Sequence, residues 1–303
     1  MSQPASLKSI GLDPALLTAL GDLELVARVT VDGTISGLHR SPFHGYSAEF
    51  SQYRHYRPGD DLKYVDWKLF ARTDRVYTKQ YRETTNLMAQ IAVDASASMS
   101  YAGAGAVSKL DYARLIAAAL AHLIASQGDA AGLVVYDDAI RQYLPSRVGQ
   151  PQLRALLVAL ARMQASGATA GGLALRRATD LLKRRGLLLV VSDLYDEDES
   201  VEQELRRAVT IGHEVAVFHV LTREEVEFPF GGEFEMQDLE SGRTVLAGQA
   251  SADAYREAFG AFLERWRTRC TRYGIDYTRV ITDMPLDEAL RGYLLRRIGA
   301  PGR

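Results

Sequence analysis

Leu87-Met88-Ala89-Gln90-Ile91-Ala92-Val93 is a mostly apolar run that stops on the carboxylate Asp94, and Ala95-Ser96-Ala97-Ser98 follows directly. A run of this length bounded by small polar residues reads as a buried strand. Lys109 to Ser126 reads as a helix, with Leu110, Ala113, Leu115, Ile116, Ala119, Leu120 and Leu123 at helical spacing. Ala131 to Tyr136 reads as a second strand and Arg141 to Leu144 as a third. Pro151 to Met163 and Leu173 to Lys183 read as helices, Gly186 to Ser192 as an apolar strand, Val201 to Ile211 as a helix and Glu214 to Leu221 as a further strand. Apolar strands alternating with amphipathic helices predict an α/β, Rossmann-like fold with a mostly parallel sheet flanked by helices on both faces. In such sheets ligands sit beyond the carboxyl ends of the strands. Chemistry is therefore expected in the loops after Val93, near residue 169 and after Val191.

Five segments are expected. Residues 1–29 form an N-terminal helical segment, its helix running from Asp13 to about Val29. Residues 30–85, rich in Arg, His, Tyr and Gly, form a small β-rich extension. Residues 86–225 form the core. Residues 226–250 form a β-hairpin insertion joined to the extension, with Glu240-Ser241-Gly242-Arg243 as its turn. Residues 251–303 complete the core as helix, strand and helix, with Tyr255, Phe259, Phe262, Trp266, Cys270 and Tyr273 on one apolar stripe.

With 47% hydrophobic and 24% charged residues over 303 positions, the composition is that of an ordinary globular chain. A formal net charge of -2 gives no overall attraction to nucleic acid or anionic membrane. Cys270 is the single cysteine, which excludes an internal disulfide and fits a reducing cytosol. The N-terminus lacks the layout of a signal peptide, and no stretch approaches the ~18–20 apolar residues of a membrane helix. The expectation is a soluble, cytoplasmic protein without direct membrane insertion.

Asp94, Ser96 and Ser98 can converge if the loop curls at the strand end. Thr169, in the flexible loop Ser166 to Gly172, and Asp193, after the apolar strand, are oxygen donors at similar strand-end positions. Hard cations such as Mg²⁺ take oxygen ligands. A site built mainly of hydroxyls leaves such an ion under-neutralised, so that it attracts a partner's acidic group. Simpler roles compete. Asp94 can cap, Ser96 and Ser98 can shape a turn, Thr169 can be a helix N-cap, and Asp193 can form a turn before the acidic stretch Asp196 to Glu199.

In order and strand context, Asp94, Ser96, Ser98, Thr169 and Asp193 resemble the metal-ion-dependent adhesion site of von Willebrand factor A domains. The resemblance implies that the serines and the threonine ligate directly or through water, the aspartates largely through water, and that the partner supplies a carboxylate. Asp196 could replace Asp193. The implied ion is Mg²⁺, or Mn²⁺ or Ca²⁺. A second block resembles one bacterial family of unknown function with a von Willebrand factor A-like core, found beside MoxR-type AAA+ ATPases. It comprises Arg40-Ser41, Gly45 to Phe50, Arg57-Pro58-Gly59-Asp60-Asp61, Asp66-Trp67-Lys68 and Ala71-Arg72-Thr73. That resemblance spans about residues 20 to 298. It implies an adaptor or co-chaperone whose partner is a MoxR-type ATPase or its client.

The basic, aromatic segment Arg40 to Arg82 invites a nucleic-acid reading. Glu49, Asp60, Asp61, Asp66 and Asp74 lie among its charges and favour internal ion pairs, so no nucleic-acid partner is expected. Trp67 is expected to pack on the core while Asp60 and Arg72 brace loops. Gly103-Ala104-Gly105 is similar to a dinucleotide loop, but Ser108 stands where the third glycine belongs. There is no Walker A lysine motif. His39, His44 and His55 match no common zinc spacing. Cys270 reads as a buried apolar residue. The leading expectation is a non-enzymatic, metal-dependent protein-binding module with no catalytic residues and no organic cofactor. The alternative is a metal-dependent phosphatase or phosphotransferase using Asp94 as nucleophile, although Ser96 stands where such enzymes carry a second carboxylate. A scaffold that binds its partner without metal is the third class.

Overall fold

The computed structural model describes residues 23–35, 47–57, 60–84, 87–105, 107–168, 171–183, 185–195, 199–230, 234–237, 239 and 242–299. Helix α1 is Leu23–Ile35. Strand β1 (Ser47–His55), helix α2 (Trp67–Thr73) and strand β2 (Tyr77–Thr84) follow. Then come β3 (Met88–Asp94), α3 (Lys109–Ser126), β4 (Ala130–Tyr136), β5 (Ile140–Arg147), α4 (Gln150–Ala161), α5 (Gly171–Asp180) and β6 (Leu187–Ser192). Next are α6 (Ser200–Thr210), β7 (Glu214–Leu221), α7 (Arg223–Glu227), β8 (Phe234–Gln237) and β9 (Thr244–Ala247). The described part ends with α8 (Gln249–Tyr273), β10 (Asp276–Ile281) and α9 (Leu286–Gly299).

The six-stranded sheet has the order β10-β7-β6-β3-β4-β5. Every pairing is parallel except β4 with β5, so β5 is an antiparallel edge. Period-2 alternation splits the strand side chains between two cores. Ala89, Ile91 and Val93 face one core, with residues of α1, α3, α4 and α9. Ala92, Val134, Leu188 and Val190 face the other, with residues of α5, α6 and α8. This is an α/β arrangement, a mostly parallel sheet flanked by helices on both faces. The strand order reverses at β3, so the loop after Asp94 opens at the topological switch of the sheet, where a crevice forms.

Three local readings change. The N-terminal helix runs to Ile35, past Val29, and its expected start from Asp13 lies outside the described residues. Val26, Ala27, Thr30, Val31 and Thr34 are its buried face. Two of those five are threonines, which hides the apolar stripe from a pattern search. Thr34 Oγ1 donates to the Thr30 carbonyl at 2.7 Å and so enters the core satisfied. Trp67 is 59% exposed rather than packed on the core. Asp66 explains this: it caps α2 by accepting from the backbone N of Lys68 and Leu69, which places Trp67 in the first turn with its ring outward, edge-on to Phe70 at 6.3 Å. Gly171 and Gly172 belong to α5 and not to a flexible loop. A Cβ on Gly172 would collide with Ser200, so the glycine lets α6 approach.

Asp60 does brace its loop, accepting from Arg54 Nη2 at 2.7 Å and from the backbone N of Arg57 at 2.9 Å. Arg72 is exposed. Strands β8 and β9 pair only with each other, apart from the two-stranded sheet of β1 and β2. Phe259, Trp266 and Cys270 of the apolar stripe are buried. Burial pushes the Cys270 thiol up to about 12, which makes it a packing residue and not a nucleophile.

Candidate metal-dependent binding site

Asp94 is the last residue of β3, and its carboxylate is fully buried. Its Oδ1 accepts from the Ser96 backbone N at 2.9 Å, and its Oδ2 from Ser192 Oγ at 2.7 Å. The first of these bonds curls the loop, so that Ser96 Oγ and Ser98 Oγ lie 3.1 Å apart. Ser98 Oγ donates to Asp193 Oδ2 at 2.7 Å. Asp193 directly follows β6, which lies beside β3 in the sheet. Two neighbouring strand ends therefore bring Asp94, Ser96, Ser98 and Asp193 together.

Thr169 lies outside the described residues, as do Asp196, His39 and His44. The segment leading to Thr169 is laced to the Asp94 loop. Ser166 N donates to the Ala95 carbonyl at 2.8 Å, and Ala97 N donates to the Gly167 carbonyl at 3.0 Å. Asp137, buried at the end of β4, accepts from Ser166 Oγ at 3.3 Å and from Arg141 Nε at 2.5 Å, and so anchors the same segment.

Lys109, Tyr195, Glu225 and His219, none of them singled out in the sequence, complete the site. Lys109, the first residue of α3, is 1% exposed. Its Nζ bonds Asp193 Oδ2 at 2.7 Å and Glu225 Oε1 at 2.6 Å. It also lies 4.8 Å from the ring centre of Tyr195. Burial opposes the charge of Lys109, but the Asp193 and Glu225 carboxylates outweigh it and hold the ammonium above its ordinary value. Glu225 is the third residue of a capping box opened by Thr222, whose backbone N donates to Glu225 Oε2 at 2.7 Å. His219 Nε2 bonds the Asp193 carbonyl at 2.8 Å, and its Nδ1 bonds Tyr277 Oη at 2.6 Å. Burial drives His219 down to about 3, so the ring is neutral and fixes the Asp193 backbone.

The donor set fits a hard cation. Cis oxygens of an octahedral Mg²⁺ site, each ~2.1 Å from the ion, lie about 3 Å apart. The Ser96–Ser98 and Ser98–Asp193 separations of 3.1 and 2.7 Å are hydrogen-bonded contacts that fall in the same range. Lys109 serves Asp193 and Glu225, whereas no cation among the described residues pairs with Asp94. Burial, followed by the charge of Asp193, pushes Asp94 up to about 7. A buried carboxylate in that position takes up either a proton or a cation.

The loop Gly103-Ala104-Gly105 holds a protein carboxylate. Ala104 N donates to Glu224 Oε1 at 2.9 Å. Gly103, at φ +60°, lies so close to Glu224 that a Cβ would collide with its carboxylate.

The family model described as "Protein of unknown function DUF58" matches residues 52–269. The uncharacterized protein Rv1480 of Mycobacterium tuberculosis is 33% identical over 244 residues, covering 79% of this chain and 75% of that protein. Among solved structures, an aerotolerance-related membrane protein from Bacteroides fragilis is similar at 17% identity and a TM-score of 0.47, over 69% of this chain and 99% of that one. The SpRpn10 VWA domain is similar at 12% identity and a TM-score of 0.41, over 68% of this chain and 94% of that one. The expected cytoplasmic placement is corrected here, because a similar structure is that of a membrane protein by name. No helix among the described residues is long and apolar enough to cross a membrane, and that fact assigns no compartment. With the family model covering more than half of its length and a relative sharing a third of its aligned residues, the chain belongs to the DUF58 family of proteins of unknown function.

Proposed function

We propose that the chain is a non-enzymatic, metal-dependent protein-binding module whose partner is a MoxR-type AAA+ ATPase or a client of one. Asp94, Ser96, Ser98 and Asp193, with Thr169 from the adjoining loop, would hold Mg²⁺ or Mn²⁺. A bound dication would offer an open coordination position to a partner's Asp or Glu. Lys109 takes up the Asp193 charge. Asp94 alone then remains to offset the ion, which leaves positive charge for the partner's carboxylate. The observation that carries the reading is the Ser96–Ser98–Asp193 chain of oxygens beside a fully buried Asp94 with which no cation among the described residues pairs.

A phosphatase reading needs Asp94 to reach a phosphorus atom. Its carboxylate has no exposed surface and is held by Ser96 N and Ser192 Oγ, which favours a structural anion over a nucleophile. The test is co-precipitation with the MoxR-type ATPase of the same organism. Capture is expected in Mg²⁺, is expected to vanish with chelator, and is expected to vanish with Asp94→Ala while the circular dichroism spectrum stays unchanged. Capture by Asp94→Ala in chelator would place the protein among metal-independent scaffolds.

A further inference from the structure

A cavity of about 630 Å³ opens beside Ser98, under the hairpin of β8 and β9. One wall is aromatic. Phe228 stacks on Tyr255 at 4.2 Å between ring centres, and Tyr255 stacks on Phe259 at 5.4 Å. Tyr101, Tyr195 and Phe230 add further rings. Three carboxylates line the same space: Glu224, Glu225 and Glu235. Glu225 is neutralised by Lys109. Glu224 receives only a neutral backbone N–H, and no cation among the described residues pairs with it or with the exposed Glu235. The carboxylate field reaches the Tyr101 hydroxyl, which burial and then Glu224 and Glu225 hold above its ordinary value.

A purely apolar occupant would satisfy the rings but strip water from two unpaired carboxylates, which is costly. An acidic occupant would meet like charge. A cation on an apolar stem satisfies both: its methylenes lie against the aromatic wall, its charge meets the carboxylates, and a planar guanidinium can fork onto them. We infer that this cavity is a recognition pocket for an arginine side chain of a protein partner. The pocket stands apart from the metal reading, since none of its argument requires a bound ion. Because Ser98 belongs to both, a partner seated here would present an acidic residue and an arginine close together.

The test compares butylguanidinium with its neutral isostere butylurea by NMR titration of the full chain, in Mg²⁺ and again in chelator. The expected result is about tenfold tighter binding of the guanidinium in both conditions, a factor in the range of a charge-assisted hydrogen bond to a carboxylate. Shifts should fall on the methyls of Met236 and Leu239. Glu235→Gln, on an exposed strand, should remove most of that preference, and Glu224→Gln/Glu235→Gln the rest. Equal or tighter binding of butylurea would overturn the assignment in favour of an apolar anchor. Absence of binding by both molecules would overturn it outright. Either result leaves the metal reading standing, because the co-precipitation experiment tests that separately.

Discussion

Lys109→Met is expected to destabilise the protein by about 3–5 kcal/mol, the usual cost of removing one partner from a buried ion pair. The ammonium has no exposed surface to speak of and bonds two carboxylates, at 2.7 and 2.6 Å. Among the described residues, its loss leaves the wholly buried Asp193 without a cation and Glu225 held by Thr222 and Tyr195 alone. The two bonds join α3 to the end of β6 and to α7, so the cost should appear in global unfolding by urea rather than in local fraying. Lys109→Met/Glu225→Gln should recover part of the loss, since one orphaned charge is removed. Arg223→Met, at an exposed bridge to Asp283, serves as the reference, since solvent-screened surface ion pairs contribute little to stability. A Lys109→Met loss no larger than that reference would mean that Lys109 is not the charge that holds Asp193.

The second large effect is a pH-gated response to Mg²⁺. Burial, and then Asp193, raise Asp94 from 3.8 to about 7. Between those values the folded protein holds a proton that the unfolded chain has lost. The Asp94 contribution to metal-free stability is therefore present at low pH and lost as pH rises to about 7. Burial lowers His219 from 6.5 to about 3, so its contribution has the opposite sign and is lost as pH falls through that range. The two slopes oppose each other in the metal-free protein, and a simple acid titration would show little. If the proposed site holds Mg²⁺, the ion competes with the Asp94 proton, so the difference made by the ion isolates that group. The rise in melting temperature with Mg²⁺ should be full at about pH 8. It should shrink below about pH 7, with apparent affinity falling about tenfold for each pH unit. Asp94→Asn should abolish the rise at every pH. An equal rise at about pH 5 and about pH 8 would place the ion elsewhere.

Much of this was legible in the sequence, because burial in a parallel sheet writes itself as apolar runs. The strands ending at Asp94, Ser192 and Leu221 are such runs, and Asp94, Ser96, Ser98 and Asp193 stand out as polar atoms just past them. Less legible were residues whose role comes from distant partners. Lys109 reads as an ordinary surface lysine, yet it opens a helix, where the macrodipole disfavours a cation. That mismatch was the available sign of a buried carboxylate nearby. The sequence Thr222-Arg223-Glu224-Glu225 is an intact capping-box pattern and marked the short helix α7. The outward turn of Trp67 had no such sign. It follows from the capping geometry of Asp66, and large aromatics ordinarily pack inward.

Crystals soaked in Mn²⁺ and measured at the manganese absorption edge test the central claim most directly. The account predicts an anomalous peak about 2.2 Å from both Ser96 Oγ and Ser98 Oγ, with Thr169 and Asp193 around it and Asp94 behind. Under the same soak, a peak elsewhere with none between the two serines, or an undiminished peak there in Asp94→Ala crystals, would contradict it.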